Sequence, residues 1–267
     1  YEYELTIKLI HMHNLTMQYT HRQQREVFHL LFLEQLLKAS DPGLYALKGG
    51  ANLRFFFRSP RYSEDLDIDV LGGAVSTLRK NGYKILDSTI LPRLLRAYGI
   101  TGLLTADREK AKHTGTTQRF RVQLLTAANE RLPTKIEFSR RGSGQNPVSG
   151  TIDSAIALPY RLLAFPCQHY PAAAAMRQKI QALAQRSAVQ ARDVFDLYIL
   201  HLGGHKPALR EFDAELLRGA QEQLLSLEFE HYRDQVLPFL EEDSLEQFGG
   251  SGAWMDMRDF VFRLLEC

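Results

Sequence analysis

From Asp65 to Val70, acidic and aliphatic residues alternate without a break, with Asp65, Asp67 and Asp69 set against Leu66, Ile68 and Val70. Side chains of an extended strand point alternately to its two faces. The pattern therefore predicts a strand with its aliphatic residues in the core and three carboxylates on the other face, neighbours about 6–7 Å apart. Like charges at that spacing repel and raise one another's pKa unless a cation sits among them. Oxygen donors of this kind suit Mg²⁺ or Mn²⁺. A solvated acidic edge strand is the plainer alternative.

The segment upstream bears on that choice. Leu44-Tyr45-Ala46-Leu47 reads as a short buried strand leading into Lys48-Gly49-Gly50, and residues 51–57 read as a helix closed by Ser59-Pro60. Glycines between a strand and a helix allow a tight turn and a close approach of ligand to backbone. The helix N-terminus that follows offers unpaired N–H groups and partial positive charge, which suit phosphate. A Gly-Gly turn alone is usually only a turn; an acidic strand beside it gives it chemical meaning. Glu137, in Lys135-Ile136-Glu137-Phe138-Ser139, sits on the polar side of a further strand. A neighbouring position would bring a third carboxylate to the aspartates, to hold metal or to deprotonate an attacking hydroxyl.

The remainder sets bounds. With 267 residues and 45% hydrophobic content, the chain can bury one large core or two modest ones. Lys and Arg number 33 against 31 Asp and Glu, so any nucleic-acid contact must come from local basic patches. Cys167 and Cys267 make neither a disulfide framework nor a zinc site. No apolar run approaches the roughly 18 residues of a membrane span. Residues 1–13 lack a signal-peptide layout, and a start at Tyr1 suggests a trimmed terminus; the expected location is the cytoplasm. Helical spacing marks residues 21–38 and, with a break at Pro92, 78–98; strands are expected at 118–126 and 135–139, with a turn at Leu132-Pro133. The Gly- and Ser-rich stretch 141–150 is the expected boundary between an α/β domain (1–150) and an α-helical domain (151–267). Helices are expected at 172–186, 191–201, 212–227, 228–240 and 254–266, the last after a flexible Gly249-Gly250-Ser251-Gly252. The fold class is α+β, a mixed sheet followed by a helical half.

Strand, Gly-Gly, helix and then a strand bearing Asp-hydrophobic-Asp describe the nucleotidyltransferase fold. In finer detail, Leu47-Lys48-Gly49-Gly50-Ala51-Asn52-Leu53-Arg54-Phe55, then Arg61-Tyr62-Ser63-Glu64-Asp65-Leu66-Asp67, resembles the AbiEii family of nucleotidyltransferase toxins, relatives of the MenT-type toxins. Lys179-Ile180-Gln181-Ala182-Leu183-Ala184-Gln185-Arg186, then Arg192-Asp193-Val194-Phe195-Asp196-Leu197, is similar to that family's helical motif. The resemblance runs from about residue 22 to 201. It implies that Gly49 and Gly50 hold the triphosphate with help from Ser63, and that Asn52 and Arg54 lie at the nucleotide. Asp65 and Asp67 would hold Mg²⁺, joined by Glu137. Lys179 and Arg186 would reach the phosphates, and Asp193 or Asp196 would complete the site. Asp67-Ile68-Asp69 offers a second Asp-hydrophobic-Asp frame, leaving Asp69 in reserve. Three positions depart from many relatives: Ala51 and Asn52 stand where Thr or Ser is common, and Gln178 where Glu is common.

Spacing alone permits blander roles. Lys179 could be a solvated residue, Arg192 with Asp196 an i, i+4 pair, and Arg61 a partner of Glu64. Arg119, Arg121, Arg140 and Arg141 form either an RNA track or part of a mixed surface. The nine histidines show no ligand spacing, and Phe55-Phe56-Phe57 reads as core packing. The resemblance implies an Mg²⁺-dependent transfer of a nucleoside monophosphate from an NTP to RNA, a tRNA 3′ end, by a growth-arresting toxin with a separately encoded antitoxin. A small-molecule acceptor, or a nucleotide-binding module without turnover, are the alternatives.

Overall fold

The polar and apolar sides of the acidic strand decide the layout of the whole chain. The computed structural model describes residues 19–105, 113–142 and 144–266; the readings made on residues 1–13 and Cys267 lie outside these. Helix α1 (His21–Ala39) is opened by a Thr20–Gln23 capping box. Strand β1 (Tyr45–Lys48) runs directly into α2 (Gly49–Phe57), and β2 (Leu66–Val70) returns antiparallel to β1. Helices α3 (Val75–Leu86) and α4 (Ile90–Leu95) follow, then β3 (Ile100–Thr105), β4 (Thr117–Thr126), β5 (Arg131–Ser139) and β6 (Val148–Thr151). A single-turn α5 (Ser154–Ala157) leads to β7 (Pro166–His169). The seven strands form one mixed sheet in the order β3-β4-β5-β2-β1-β7-β6. β2 lies parallel to β5, and β1 parallel to β7.

One face of this sheet is apolar. Leu47, Leu66, Ile68, Phe120, Ile136 and Phe138 are almost fully buried there, packed with Val27, Phe28, Leu31 and Phe32 of α1, Leu78 and Leu86 of α3, and Leu91 and Leu95 of α4. The opposite face carries the polar alternates and looks toward the helical half. That half comprises α6 (Ala172–Gln185), α7 (Ala191–Leu202), α8 (Ala214–Leu225), α9 (Phe229–Gln235), the short α10 (Leu245–Phe248) and α11 (Ser251–Leu264). Its own core includes Met176, Ile180, Phe195, Tyr232 and Trp254, with the Tyr232 and Trp254 rings stacked at 4.9 Å.

Helix α2 joins the two cores. Ala51 and Phe55, four residues apart and so on one helical face, belong to the sheet core, whereas Leu53 is buried in the helical core and Phe57 packs against it. The loop after α2 is tied to the helical half by Tyr62 N–H to Phe239 O (2.8 Å) and Glu241 N–H to Pro60 O (2.9 Å). Below it lies a buried ionic cluster. Arg54 donates to Glu26 (2.6 Å) and Ser59 O (2.9 Å), pairs with Glu241 (2.7 Å) and sits 4.4 Å from the Tyr62 ring centroid.

Several expectations are corrected. Residues 132–133 are not a turn: β5 starts at Arg131, and the reversal is made by the segment where Thr126 N–H bonds Glu130 O and Asn129 adopts φ 62°. Pro133 is tolerated because its carbonyl, and with it the side lacking an N–H, faces away from β4 toward Arg25, beyond the reach of β2. The stretch 141–150 does not end the α/β part. β6 and β7 add to the same sheet, and the helical half starts at Ala172. Ser251 and Gly252, expected to be flexible, form the first turn of α11.

Arg54→Met leaves the buried Glu26 carboxylate without its cation and is expected to lower the folding free energy by about 3–5 kcal/mol, read from urea denaturation. A second expectation concerns acid. His29 is buried and its Nε2–H donates to Thr134 Oγ1 (2.8 Å), which in turn donates to Glu64 O (2.7 Å). Burial, helped by the charge of Arg25, pushes its pKa down from 6.5 to about 3. Between those values the unfolded chain binds a proton that the folded one refuses. Stability therefore falls as pH drops below 6.5, by at most about 1.4 kcal/mol per pH unit from this group. In His29→Gln that part of the acid limb should be absent from urea midpoints taken between pH 7 and 5.

Candidate active site

The polar face of the sheet is assembled by register. Asp67 of β2 stands beside Lys48 of β1 and beside Glu137 of β5, and Arg119 of β4 stands opposite Glu137. Two positions on, Asp69 neighbours Ser139, and Lys135 precedes Glu137 on the same face. All these side chains project into one cleft between the sheet and α6. Its two halves, cavities of about 270 and 380 Å³, meet at Gly49, Asp67, Glu137, Lys179 and Arg186.

At the head of the cleft the backbone makes close contact with carboxylate and hydroxyl. Gly49 has φ +65°, and a Cβ there would lie 2.8 Å from Asp67 Oδ2; one on Gly50 would lie 2.8 Å from Ser63 Oγ. Both positions thus exclude a side chain, and Gly49 needs a left-handed conformation as well. Ser63 is held by donating to Asp65 O (2.8 Å). The first turn of α2 therefore presents its N–H groups to the cleft beside Asp67.

The carboxylates are not equivalent. Asp65 accepts from Lys135 through the backbone N–H (3.1 Å) and the ammonium (2.5 Å). Glu137 is paired with Arg119 (2.6 Å). Asp69 is almost fully buried, bound to the Lys48 ammonium and accepting from Tyr170 OH (2.8 Å). Among the described residues, Asp67 has neither hydrogen bond nor ion pair. Burial, with the charges of Asp65 and Glu137, lifts its pKa above the ordinary carboxylate value against the pull of Lys135 and Lys48. Three acids do approach one another as expected, but they form no closed metal cage: no group of three or more His, Cys, Asp or Glu in metal-holding array exists among the described residues. Asp69, the reserve member of the frame, anchors Lys48 instead.

The helical half contributes cations. Asp193 and Asp196 of α7 are fully buried, so neither faces the cleft as a site acid. Asp196 binds Arg61 through three contacts (2.9, 3.0 and 3.2 Å) and Lys179 (2.5 Å); Asp193 binds Lys179 (2.8 Å) and Arg186 (2.7 Å). Burial works to raise the pKa of Asp196, but the charges and hydrogen bonds of Arg61 and Lys179 outweigh it and hold the group ionised. The result is an alternating chain, Arg61–Asp196–Lys179–Asp193–Arg186, whose three cations line the cleft. Arg61 is therefore not the partner of Glu64, nor Arg192 that of Asp196; Arg192 lies 3.8 Å from Glu64.

Two expected nucleotide contacts fall elsewhere. Arg54 is enclosed in the Glu26–Glu241 cluster. Asn52 is 1% exposed, donating to Tyr170 O (2.9 Å) while its Oδ1 accepts from His169 Nδ1 (3.1 Å). Both point away from the cleft because α2 turns those positions into its packed flanks. Phe55 is core, as read, and Phe56 stacks on His169 with centroids 3.7 Å apart. Sequence reasoning missed Lys48, Lys135 and Tyr170 as anchors. Period two counted back from Glu137 would have marked Lys135; nothing local marks Tyr170, which is 101 residues from Asp69.

Eight cations (Lys48, Arg61, Arg119, Lys135, Arg141, Lys179, Arg186, Arg192) and five acids (Glu64, Asp65, Asp67, Asp69, Glu137) line the two half-clefts. Asp193 and Asp196 behind the lining offset part of that surplus, and the small excess of positive charge that remains favours an anion, with one carboxylate left free to meet a metal. No helix among the described residues is long and apolar enough to cross a membrane. A search of curated protein sequences found no match. Among solved structures, the chain is similar to the nucleotidyltransferase toxin MenT4 of Mycobacterium tuberculosis, with TM-score 0.57 and 15% identity over 92% of this chain and 85% of that one. It is also similar to a proposed nucleotidyltransferase from Helicobacter pylori, with TM-score 0.51 and 20% identity over 88% and 95%. These likenesses establish the fold. The family profile of the nucleotidyl transferase AbiEii toxins matches residues 31–265, nearly the full length, and the chain belongs to that family of type IV toxin–antitoxin nucleotidyltransferases.

Proposed function

We propose that this nucleotidyltransferase moves a nucleoside monophosphate from an NTP to a hydroxyl of RNA, a tRNA 3′ end, in the cytoplasm, with Mg²⁺ or Mn²⁺ at Asp65 and Asp67. The observation that carries the reading is the free carboxylate. Asp67 is unpartnered among the described residues and lies against the Gly49 turn, in a cleft whose other carboxylates Asp65, Asp69 and Glu137 are each paired with a cation. Magnesium takes one or two carboxylates and completes its shell with phosphate oxygens and water, and Asp67 with Asp65 supplies that donor set. When bound, the ion neutralises charge building on the α-phosphate.

The chain's own groups do the rest by position and charge. N–H groups of Gly49 and Gly50, with Ser63, receive the triphosphate; Arg61, Lys179 and Arg186 neutralise it. Asp193 and Asp196 are positioning residues that keep those cations in place. The acceptor oxygen bonds to the α-phosphorus as the bond to the β-phosphate bridging oxygen breaks, releasing pyrophosphate. Glu137, beside Asp67 on the neighbouring strand, takes the hydroxyl proton, and Arg119 holds the carboxylate in position beforehand. The cleft favours a polymeric acceptor because its basic lining continues outward: Arg121 follows Arg119 on the same face of β4, and Arg141 stands exposed at the other rim. The family's toxin–antitoxin character adds an antitoxin as partner.

With labelled NTPs, Mg²⁺ and total tRNA, the wild-type protein should label RNA, and Asp67→Asn should lower the rate by about a hundredfold or more, the scale of losing one charge-stabilising group. Equal labelling by the variant, or label appearing only on small molecules, would sink the reading. Asp196→Asn strands two cations at a buried site. It should cost about 3–5 kcal/mol of stability in urea denaturation, and weaken NTP binding in whatever folded fraction remains.

A further inference from the structure

The two half-clefts differ in chemistry. The half containing Gly50 and Ser63 concentrates Arg61, Lys135, Arg119 and Arg192. The other is lined by Ser139, Gln178, Gln181 and Ala182, with Arg141 exposed at its rim. Its Lys48 is already bound to Asp69. A nucleotide whose triphosphate occupies the more cationic half must extend its sugar and base past the shared residues Gly49, Lys179 and Arg186 into this half, where carboxamides replace most of the charges.

Gln178 and Gln181 lie three residues apart on α6 and so share a helical face. The Nε2 of Gln178 is buried and has no hydrogen-bond partner among the described residues. An unmet buried donor is costly, and the carboxamide turns easily about its last torsion. A ligand that supplies an acceptor recovers that cost. Most other polar groups nearby are committed: Asp69 to Lys48 and Tyr170, Glu137 to Arg119.

We propose that Gln178 is a specificity-determining residue: its carboxamide donor, supported by Gln181 one turn on, selects an NTP whose base offers an acceptor at that edge. This rests on the reading of the cleft as the NTP site. A carboxylate in the same place accepts only, so Gln178→Glu exchanges the selected base edge for one that presents an amino donor. Gln178→Ala removes the donor without adding charge.

The test titrates ATP, GTP, CTP and UTP by calorimetry into wild type, Gln178→Glu and Gln178→Ala, in Mg²⁺ and without RNA, with urea midpoints to verify folding. The wild type should prefer one NTP. Both variants should bind that NTP about tenfold more weakly or worse; Gln178→Ala should bind the other three with little change, so that the preference ratio collapses, and Gln178→Glu should shift the preference to an NTP whose base presents an amino donor. A merely structural role would weaken all four alike. A wild type that binds the four equally, or variants that keep the wild-type ratio, overturn the inference while leaving the cleft as an NTP site. Failure of any NTP to bind the wild type overturns the cleft reading itself, and this inference with it.

Discussion

Two aspartates without solvent contact hold the site together. Asp193 and Asp196 sit on consecutive exposures of one face of α7, three residues apart, and bind Arg61, Lys179 and Arg186 in alternation. Ionised carboxylates in so dry a setting are stable only because each is matched by cations and hydrogen bonds. The same matching prevents three positive groups from spreading apart by mutual repulsion. The cleft thus keeps a line of cations preorganised, which is what a triphosphate requires of a site that must not rearrange when charge moves.

This arrangement depends on α2 and the loop behind it. Arg61 reaches Asp196 from a loop fastened to residues 239–241 of the helical half, while α2 inserts Leu53 into one core and Phe55 into the other. The glycine turn, the acidic strand and the basic helices are consequently parts of one packed body. Displacing the helical half would remove the cations from the carboxylates they face.

Much of the fold was legible from Asp65 to Val70 and its glycine turn, because period-two alternation and a Gly-Gly stop are local signals. Asp65, Asp67, Glu137, Lys179 and Arg186 are brought to one cleft. The roles of Arg54 and Asn52 were not legible: their spacing beside the glycines matches a ligand-facing turn, but the helix rotates them into its flanks. Asp193 and Asp196 read as site acids and prove to be counterions, since burial is a property of neighbours and leaves no trace in spacing. β6 and β7 escaped notice because four-residue strands carry too little periodicity to register.

The sequence by itself determined which residues can alternate across a strand and where the backbone must turn without a side chain. Those follow from chain geometry over a few residues. Only the tertiary structure decided which carboxylate stays free. Asp65, Asp67 and Asp69 are alike in spacing, yet Lys135 engages the first, Lys48 and Tyr170 the last, and none of the described residues the middle one. That choice is made by strand register and by partners up to 101 residues distant, and electrostatic energy depends on distance in space, not along the chain.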